Sequence, residues 1–418
     1  MDRLIFHVDV NSAYLSWEAA RRVRNGAEDL RLIASAIGGD RDSRTGVVLA
    51  KSIPAKKKGV QTGEPIGRAL KKCPELVLAP PDYQLYQTSS QAFMDICRAY
   101  APAVEKYSID ECFLDMSGTG KSYPDPIALA HQIKDEIRET LGFTVNIGIG
   151  TNKLLAKMAS DFEKPDRVHT LFPQEIAGKM WTLSVRELFT VGTSTAAKLE
   201  KANICTIGDL ARQDVRTIQA IVGIKNGQNI HAFANGIDDS PVLSEPEEAK
   251  GYSISTTLAH DVTTAAQAER ILHSLADSVA SRMRADHARA YSIGVTIRAN
   301  DFKNHSHQKT LDQATDITAE VLSVSRSLFH ELWDRRTPLR LIGISLTNIT
   351  RDIHEQLTLF PDVQREKERK VDQAMDAIRS KFGSDLITRG IPGNSDAKVG
   401  KKYKALMENR RKKDNRGK

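Results

Sequence analysis

The chain has 418 residues, 40% hydrophobic and 27% charged, with a net charge of +7. That length suits about two to four domains, and the apolar content excludes a disordered chain. No apolar run approaches the ~20 residues of a membrane span, and MDRLIFHVDV lacks a signal-peptide core, so a cytoplasmic protein with no membrane contact is expected. Cys73, Cys97, Cys112 and Cys205 are scattered without a CxxC pair, which suits core thiols in a reducing compartment rather than disulfides or zinc ligands. The last eighteen residues, KKYKALMENRRKKDNRGK, carry nine Lys/Arg against two Asp/Glu and so account for the whole +7. Such an arm suits nonspecific nucleic-acid contact or mere solubility.

In chain order, LIFHVDV at 4–10 reads as an apolar strand ending near Asp9, and NSAYLSWEAARRV as a helix. LRLIASAIGG and TGVVLAK form a small β-rich section with Gly/Asp turns. A helix is expected over 82–100, a strand over 107–116, a helix over 125–141, then the strand TVNIGIG and the helix NKLLAKMASDF. From Trp181 to Ile237 short helices alternate with Gly turns, as in VGTSTAAKLEKANICTIGDL and VGIKNGQNIHAFANGI. This is the pattern of helix-hairpin-helix elements, which offer backbone N–H groups to phosphates. DDSPVLSEPEEAK at 238–250 is the linker candidate. Residues 251–348 read as β-α-β-β-α-β, with Arg298, Lys303 and Lys309 together on the central strands as candidate DNA contacts. A helix near 363–382 precedes the basic tail. The whole predicts an α+β multidomain protein.

The informative strand is YSIDECFLDM. Asp110 and Glu111 are adjacent, so a regular strand would send one of them inward, where an unpaired carboxylate is costly. A bend there would let both converge with Asp9 into an oxygen-donor set of the kind Mg²⁺ takes. Singly, the pair also suits a solvated hairpin tip and Asp9 a helix cap; together the three favour metal binding.

DVNSAYLSWE (9–18), YSIDECFLD (107–115) and TNKLLAKMASDFEKP (151–165) resemble the signature blocks of Y-family, translesion DNA polymerases, and the likeness spans about residues 1–350. The resemblance implies a right-hand polymerase with a palm (1–11 and 79–165), small fingers (12–78), a helix-hairpin-helix thumb (166–237) and a β-α-β-β-α-β little finger (251–348), followed by a tail (349–418). It implies that Asp9, Asp110 and Glu111 are catalytic and, with the Val10 carbonyl, hold two Mg²⁺, for which Mn²⁺ can substitute. Tyr14 falls at the steric gate against a ribose 2′-OH, Lys164 reaches the triphosphate, Val47 and Leu49 lie over the templating pair, and Ser108 supports the carboxylate turn. Departures lie in LAKSIPAKKKGV: Ala50, Ile53 and Lys56 stand where polymerase IV-type members carry Thr, Tyr and Arg. A point charge thus replaces a bidentate fork. These changes, with Asn11, suggest the UmuC-like branch.

QLTLF at 356–360 resembles the bacterial sliding-clamp peptide, with Gln356 at the rim and Leu357, Leu359 and Phe360 as apolar anchors. The implied partners are primer–template DNA, a dNTP and the clamp, with a recombinase filament or accessory subunit in addition and the chain itself monomeric. The rival readings are a noncatalytic DNA- and clamp-binding adaptor on the same fold and a two-metal nuclease.

Overall fold

A computed structural model describes residues 3–39, 46–245, 247–352, 363–383, 386–387 and 389, in two compact units that divide near residue 246. In the first unit, β1 (Ile5–Val10) leads into α1 (Ala13–Arg24). β2 (Ser35–Gly38), β3 (Val48–Lys51), α2 (Ile53–Lys57), α3 (Ile66–Lys72) and β4 (Val77–Ala79) follow, and their strands form a small sheet in the order β3-β2-β4. α4 (Tyr83–Tyr100) is capped by Asp82, which accepts a hydrogen bond from the Leu85 N–H. Next come β5 (Ala103–Lys106), β6 (Glu111–Asp115), α5 (Pro126–Leu141), β7 (Val145–Gly150), α6 (Lys153–Asp161) and β8 (Val168–Leu171).

The main sheet runs β5-β6-β1-β7-β8, so β1 is central and all six of its residues are buried. Phe6, Val8 and Val10 point into a core shared with α1, α4 and α5. The alternate residues face α6: Ile5 packs on Phe113 and Ala156, and His7 Nδ1 lies 2.8 Å from Ser160 Oγ. Burial among lysines holds the His7 pKa well below its usual value. Gly148 and Gly150 let α6 lie against β7. A Cβ on Gly148 would stand 2.0 Å from the Ala156 carbonyl oxygen and 2.4 Å from the Ser160 nitrogen.

Several expectations change here. The stretch 107–116 is not one strand: residues 107–110 form the turn between β5 and β6, with the Tyr107 and Ser108 N–H groups donating to the Glu111 carbonyl. β8 pairs in parallel with β7, so the main sheet extends past residue 165, because the chain returns beside β7 once α6 has crossed it. α1 buries Leu15, Trp17, Ala19 and Ala20 in the core under the main sheet, which Ile37 of β2 and Ala50 of β3 also join. Of the cysteines, Cys73, Cys97 and Cys112 are buried, and Cys205 is exposed rather than a core thiol.

The helical segment comprises α7 (Thr193–Lys201), α8 (Ile207–Arg212), α9 (Val215–Val222) and α10 (Ile224–Ala234). Gly223 joins α9 to α10 at φ +92°, a conformation that favours glycine.

The second unit has the expected order: β9 (Tyr252–Val262), α11 (Ala265–Ala285), β10 (Arg289–Ala299), β11 (Asn304–Thr315), α12 (Thr318–Leu332), β12 (Leu339–Thr350). The antiparallel sheet runs β11-β10-β12-β9 and shares a core with α11 and α12. α13 (Val363–Phe382) is part of this unit rather than of a free tail. The Thr318 N–H and Oγ1 each donate to buried Asp372 at 2.8 Å, and Arg379 pairs with Asp277 at 2.7 Å. No helix among the described residues is long and apolar enough to cross a membrane.

Candidate active site

The strand ladder places two carboxylates together. Asp9 on β1 is directly opposite Glu111 on β6, so both project from the face that α6 covers. Asp110 lies in the turn just before β6, outside strand alternation. Its carbonyl accepts from the Val10 N–H at 3.0 Å, and its carboxylate accepts from Ser108 Oγ at 2.7 Å. The turn thus lets adjacent carboxylates serve one site, and Ser108 supports it as the sequence suggested.

α6 and the residues after it supply the counter-charges. Lys157 Nζ lies 2.6 Å from Glu111, 3.5 Å from Asp9 and 3.3 Å from Asp161. Lys164 Nζ lies 2.7 Å from Asp9 and 2.8 Å from Asp161. Burial raises the Glu111 pKa, aided by the charges of Asp9 and Asp110 and opposed by the hydrogen bond from Lys157. Burial alone would lower the Lys157 and Lys164 pKa values; the carboxylates around them, Asp9 foremost, raise both instead.

Asn11 braces this corner. Its side-chain Nδ2 donates to Asn146 Oδ1 at 3.1 Å, while its side-chain Oδ1 accepts from the Asp166 N–H at 2.9 Å, fixing the chain just after Lys164. Ser12 then takes φ +50° as the residue before α1. Ser12, Ala13 and Tyr14, at this left-handed turn into α1, border the same space as the carboxylates.

These groups line one cavity of about 590 Å³. Asp9, Val10, Asp110 and Glu111 share it with Tyr14, Leu49, Lys51, Ile53, Lys56, Lys157, Asp161 and Lys164. The half-buried Tyr14 ring is stacked on Tyr86 at 4.5 Å and meets Tyr83 edge-on. Burial, with smaller contributions from Asp110 and Tyr83, raises the Tyr14 pKa, so the phenol stays neutral. Burial and neighbouring Lys56 lower the pKa of Lys51. Val47 does not line this cavity and instead bridges to Pro65, because it lies ahead of β3.

Sequence reasoning missed Lys157, Asp161 and Lys51. The available signal was a lysine inside the apolar helix run LLAKMA, spaced i, i+4 from an aspartate.

Arg298, Lys303 and Lys309 are not brought together. β11 is an edge strand rather than a central one. Lys309 pairs with Ile293, a core-facing residue, whereas Arg298 has the opposite parity, so the two side chains leave opposite faces of the sheet. Lys303 sits in the turn between β10 and β11 and pairs with Asp301 at 2.8 Å. Gln356, Leu357, Leu359, Phe360 and the basic tail lie outside the described residues.

Among the described residues, no three His, Cys, Asp or Glu side chains already converge as a metal cage. The donor chemistry nevertheless fits a hard divalent cation. Asp9, Asp110 and Glu111 offer only oxygen ligands, and the ammonium of Lys157 bridges two of them as a cation would.

This sheet, cavity and helical segment define the fold of a Y-family DNA polymerase. A solved Y-family DNA polymerase chimera superposes with a TM-score of 0.72 at 23% identity, over 84% of this chain and all of the chimera. The impB/mucB/samB family matches residues 8–161, its C-terminal domain residues 249–359, and the DNA polymerase-iota thumb domain residues 186–238. A protein of Clostridium acetobutylicum named DNA polymerase IV is 42% identical over 94% of this chain and 98% of its own length. One of Oceanobacillus iheyensis with the same name is 36% identical over 92% and 91%, and DNA polymerase IV 1 of Bacillus subtilis 35% over 93% and 92%. The chain belongs to the DNA polymerase IV family of Y-family polymerases, whose members use divalent metal ions. This full-length similarity corrects the UmuC-like branch: Asn11, Ala50, Ile53 and Lys56 are local changes around one cavity. Neither the adaptor nor the nuclease reading gains support.

Proposed function

We infer that this chain performs template-directed, low-fidelity translesion DNA synthesis, in which a primer 3′-OH attacks the α-phosphorus of a dNTP and pyrophosphate leaves. The observation that carries this is one cavity lined by Asp9, Asp110 and Glu111 together with Lys51, Lys56, Lys157 and Lys164. Two Mg²⁺ (or Mn²⁺) held by Asp9, Asp110, Glu111 and the Val10 carbonyl would lower the hydroxyl's pKa and offset charge on the transferring phosphoryl group. The protein's own residues do the rest. Lys56 and Lys164 bind the triphosphate as point charges, Lys164 exchanging its contact with Asp9 for phosphate oxygens. Leu49 covers the nascent pair, and the small fingers leave the templating base loosely enclosed, which admits damaged templates. Arg298, Lys303 and Lys309 contact DNA from separate surfaces, steadying phosphates without reading sequence. The translesion assignment is tested by extension across an abasic site with Mg²⁺ and dNTPs. Read-through supports it, and termination at every abasic site while undamaged template is copied overturns it.

Tyr14, fixed by Tyr86 and Tyr83, acts as the sugar gate. Tyr14→Ala is expected to raise ribonucleotide incorporation by roughly 10–100-fold, since an overpacked clash costs ~1–3 kcal/mol. Unchanged discrimination in single-nucleotide insertion would remove Tyr14 from the gate.

QLTLF recruits the sliding clamp. Leu359→Ala with Phe360→Ala is expected to weaken clamp binding by at least ~30-fold, as loss of an anchor costs ~2 kcal/mol. Equal heats in calorimetric titration would refute the motif. The chain acts as a cytoplasmic monomer on DNA, with a recombinase filament or accessory subunit as a further partner.

A further inference from the structure

The hairpin between β10 and β11 carries a side chain its backbone does not favour. The Phe302 N–H donates to the Ala299 carbonyl and the Ala299 N–H to the Lys303 carbonyl, closing a tight turn. Phe302 takes φ +69° in this turn. That is the left-handed position where glycine or asparagine costs nothing and a bulky residue is strained. Burial does not explain the choice, because Phe302 is 61% exposed. A strained, exposed aromatic is a reason to look for what it holds.

A second irregularity aims a cation at the same ring. Arg298 pairs with Leu341 and Ala299 with Leu339, so Arg340 is the extra residue of a bulge on β12. Bulges re-aim side chains. Here the guanidinium carbon of Arg340 stands 4.8 Å from the centre of the Phe302 ring. The Asn300 N–H donates to the Pro338 carbonyl, tying the hairpin tip to the loop that carries exposed Arg335 and Arg336. An exposed ring, a stacked guanidinium and a cationic rim on Ser/Thr-rich strands match the chemistry that holds unpaired nucleobases.

We propose that Phe302 and Arg340 form a stacking platform for an unpaired nucleobase of the DNA substrate. This rests on the polymerase reading above and adds a base-contacting site on the second unit. The base stacks on the ring while Arg340 and the flanking cations hold its phosphates. Stacking of this kind tolerates any base, and therefore a damaged strand.

The test is fluorescence anisotropy at one fixed salt concentration, using the full chain with a blunt duplex and with a primer–template bearing a single-stranded template overhang. Phe302→Gly relieves the left-handed strain, so its melting temperature is expected to equal or exceed that of the native chain. Its affinity for the overhang substrate is expected to fall by about tenfold, from ~1–3 kcal/mol per stacked base, with blunt-duplex affinity unchanged. Phe302→Asn serves if the glycine variant expresses poorly, and Phe302→Tyr is expected to retain binding. Unchanged overhang affinity in Phe302→Gly and Phe302→Asn overturns the proposal. So does equal weakening on both DNAs with a lowered melting temperature, which marks a structural residue or a protein-facing one. A native chain that binds neither DNA overturns the polymerase reading itself, which keeps the two failures distinct.

Discussion

Asp110→Ala and Glu111→Ala are expected to cut primer extension by at least ~10³-fold while leaving primer–template affinity within about twofold. The reaction concentrates negative charge on the transferring phosphoryl group, and electrostatic stabilisation of that charge is worth several kcal/mol. Asp9, Asp110 and Glu111 are the carboxylates that the β1–β6 ladder and its turn bring to this cavity. Neither variant should unfold the chain. Asp110 is held at a turn by Ser108, and when Glu111 is lost Lys157 keeps Asp9 and Asp161 as partners. DNA affinity is expected to survive because the proposed phosphate contacts are made by residues other than these carboxylates. Single-turnover extension and anisotropy check the two halves separately. Extension within tenfold of native by either variant would contradict the assignment. Loss of DNA binding in parallel would show that the carboxylates support structure instead.

Gly148→Ala is expected to destabilise the first unit by about 3 kcal/mol or more, at the upper end of overpacking costs. The new methyl meets the backbone of Ala156, Ser160 and Ala159 rather than flexible side-chain ends. Relief requires α6 to lift from β7, and α6 carries Lys157 while leading to Lys164. The defect therefore reaches the site, and any folded fraction should bind dNTP more weakly. Gly26→Ala is the control for handling: nothing stands within 4 Å of its Cβ, although its φ of +74° adds some strain. Urea denaturation compares them. A Gly148→Ala midpoint equal to native would mean that the close strand–helix contact is not needed.

Much of this was legible in the chain itself. LIFHVDV reads as a nearly continuous apolar run because β1 is buried on both faces, and the β-α-β-β-α-β order was readable from clean apolar periods. The carboxylate triad was legible because charge in an apolar strand is rare enough to demand a purpose. The bend at Asp110 was expected, but not that the turn takes up 107–110, because Tyr107 and Ile109 have strand character although they sit in it. Lys157 escaped notice because its role depends on α6 crossing over β1, a contact between residues 148 positions apart. The supposed cluster of Arg298, Lys303 and Lys309 failed for a similar reason. Proximity in sequence says nothing of strand order, and a hairpin partner at the sheet edge sends alternate residues to opposite faces. The Phe302–Arg340 pair was invisible because it needs both a left-handed residue and a bulge.

Asp9, Asp110 and Glu111 are proposed as the centre of a metal-dependent polymerase. This assignment is met most directly by primer extension on an undamaged template with Mg²⁺ and all four dNTPs, native chain beside Asp110→Ala. The native chain is expected to extend the primer, with extension abolished by chelator and absent in the variant. Equal extension by both chains, or DNA binding by the native chain with no synthesis even when the sliding clamp is added, would contradict it.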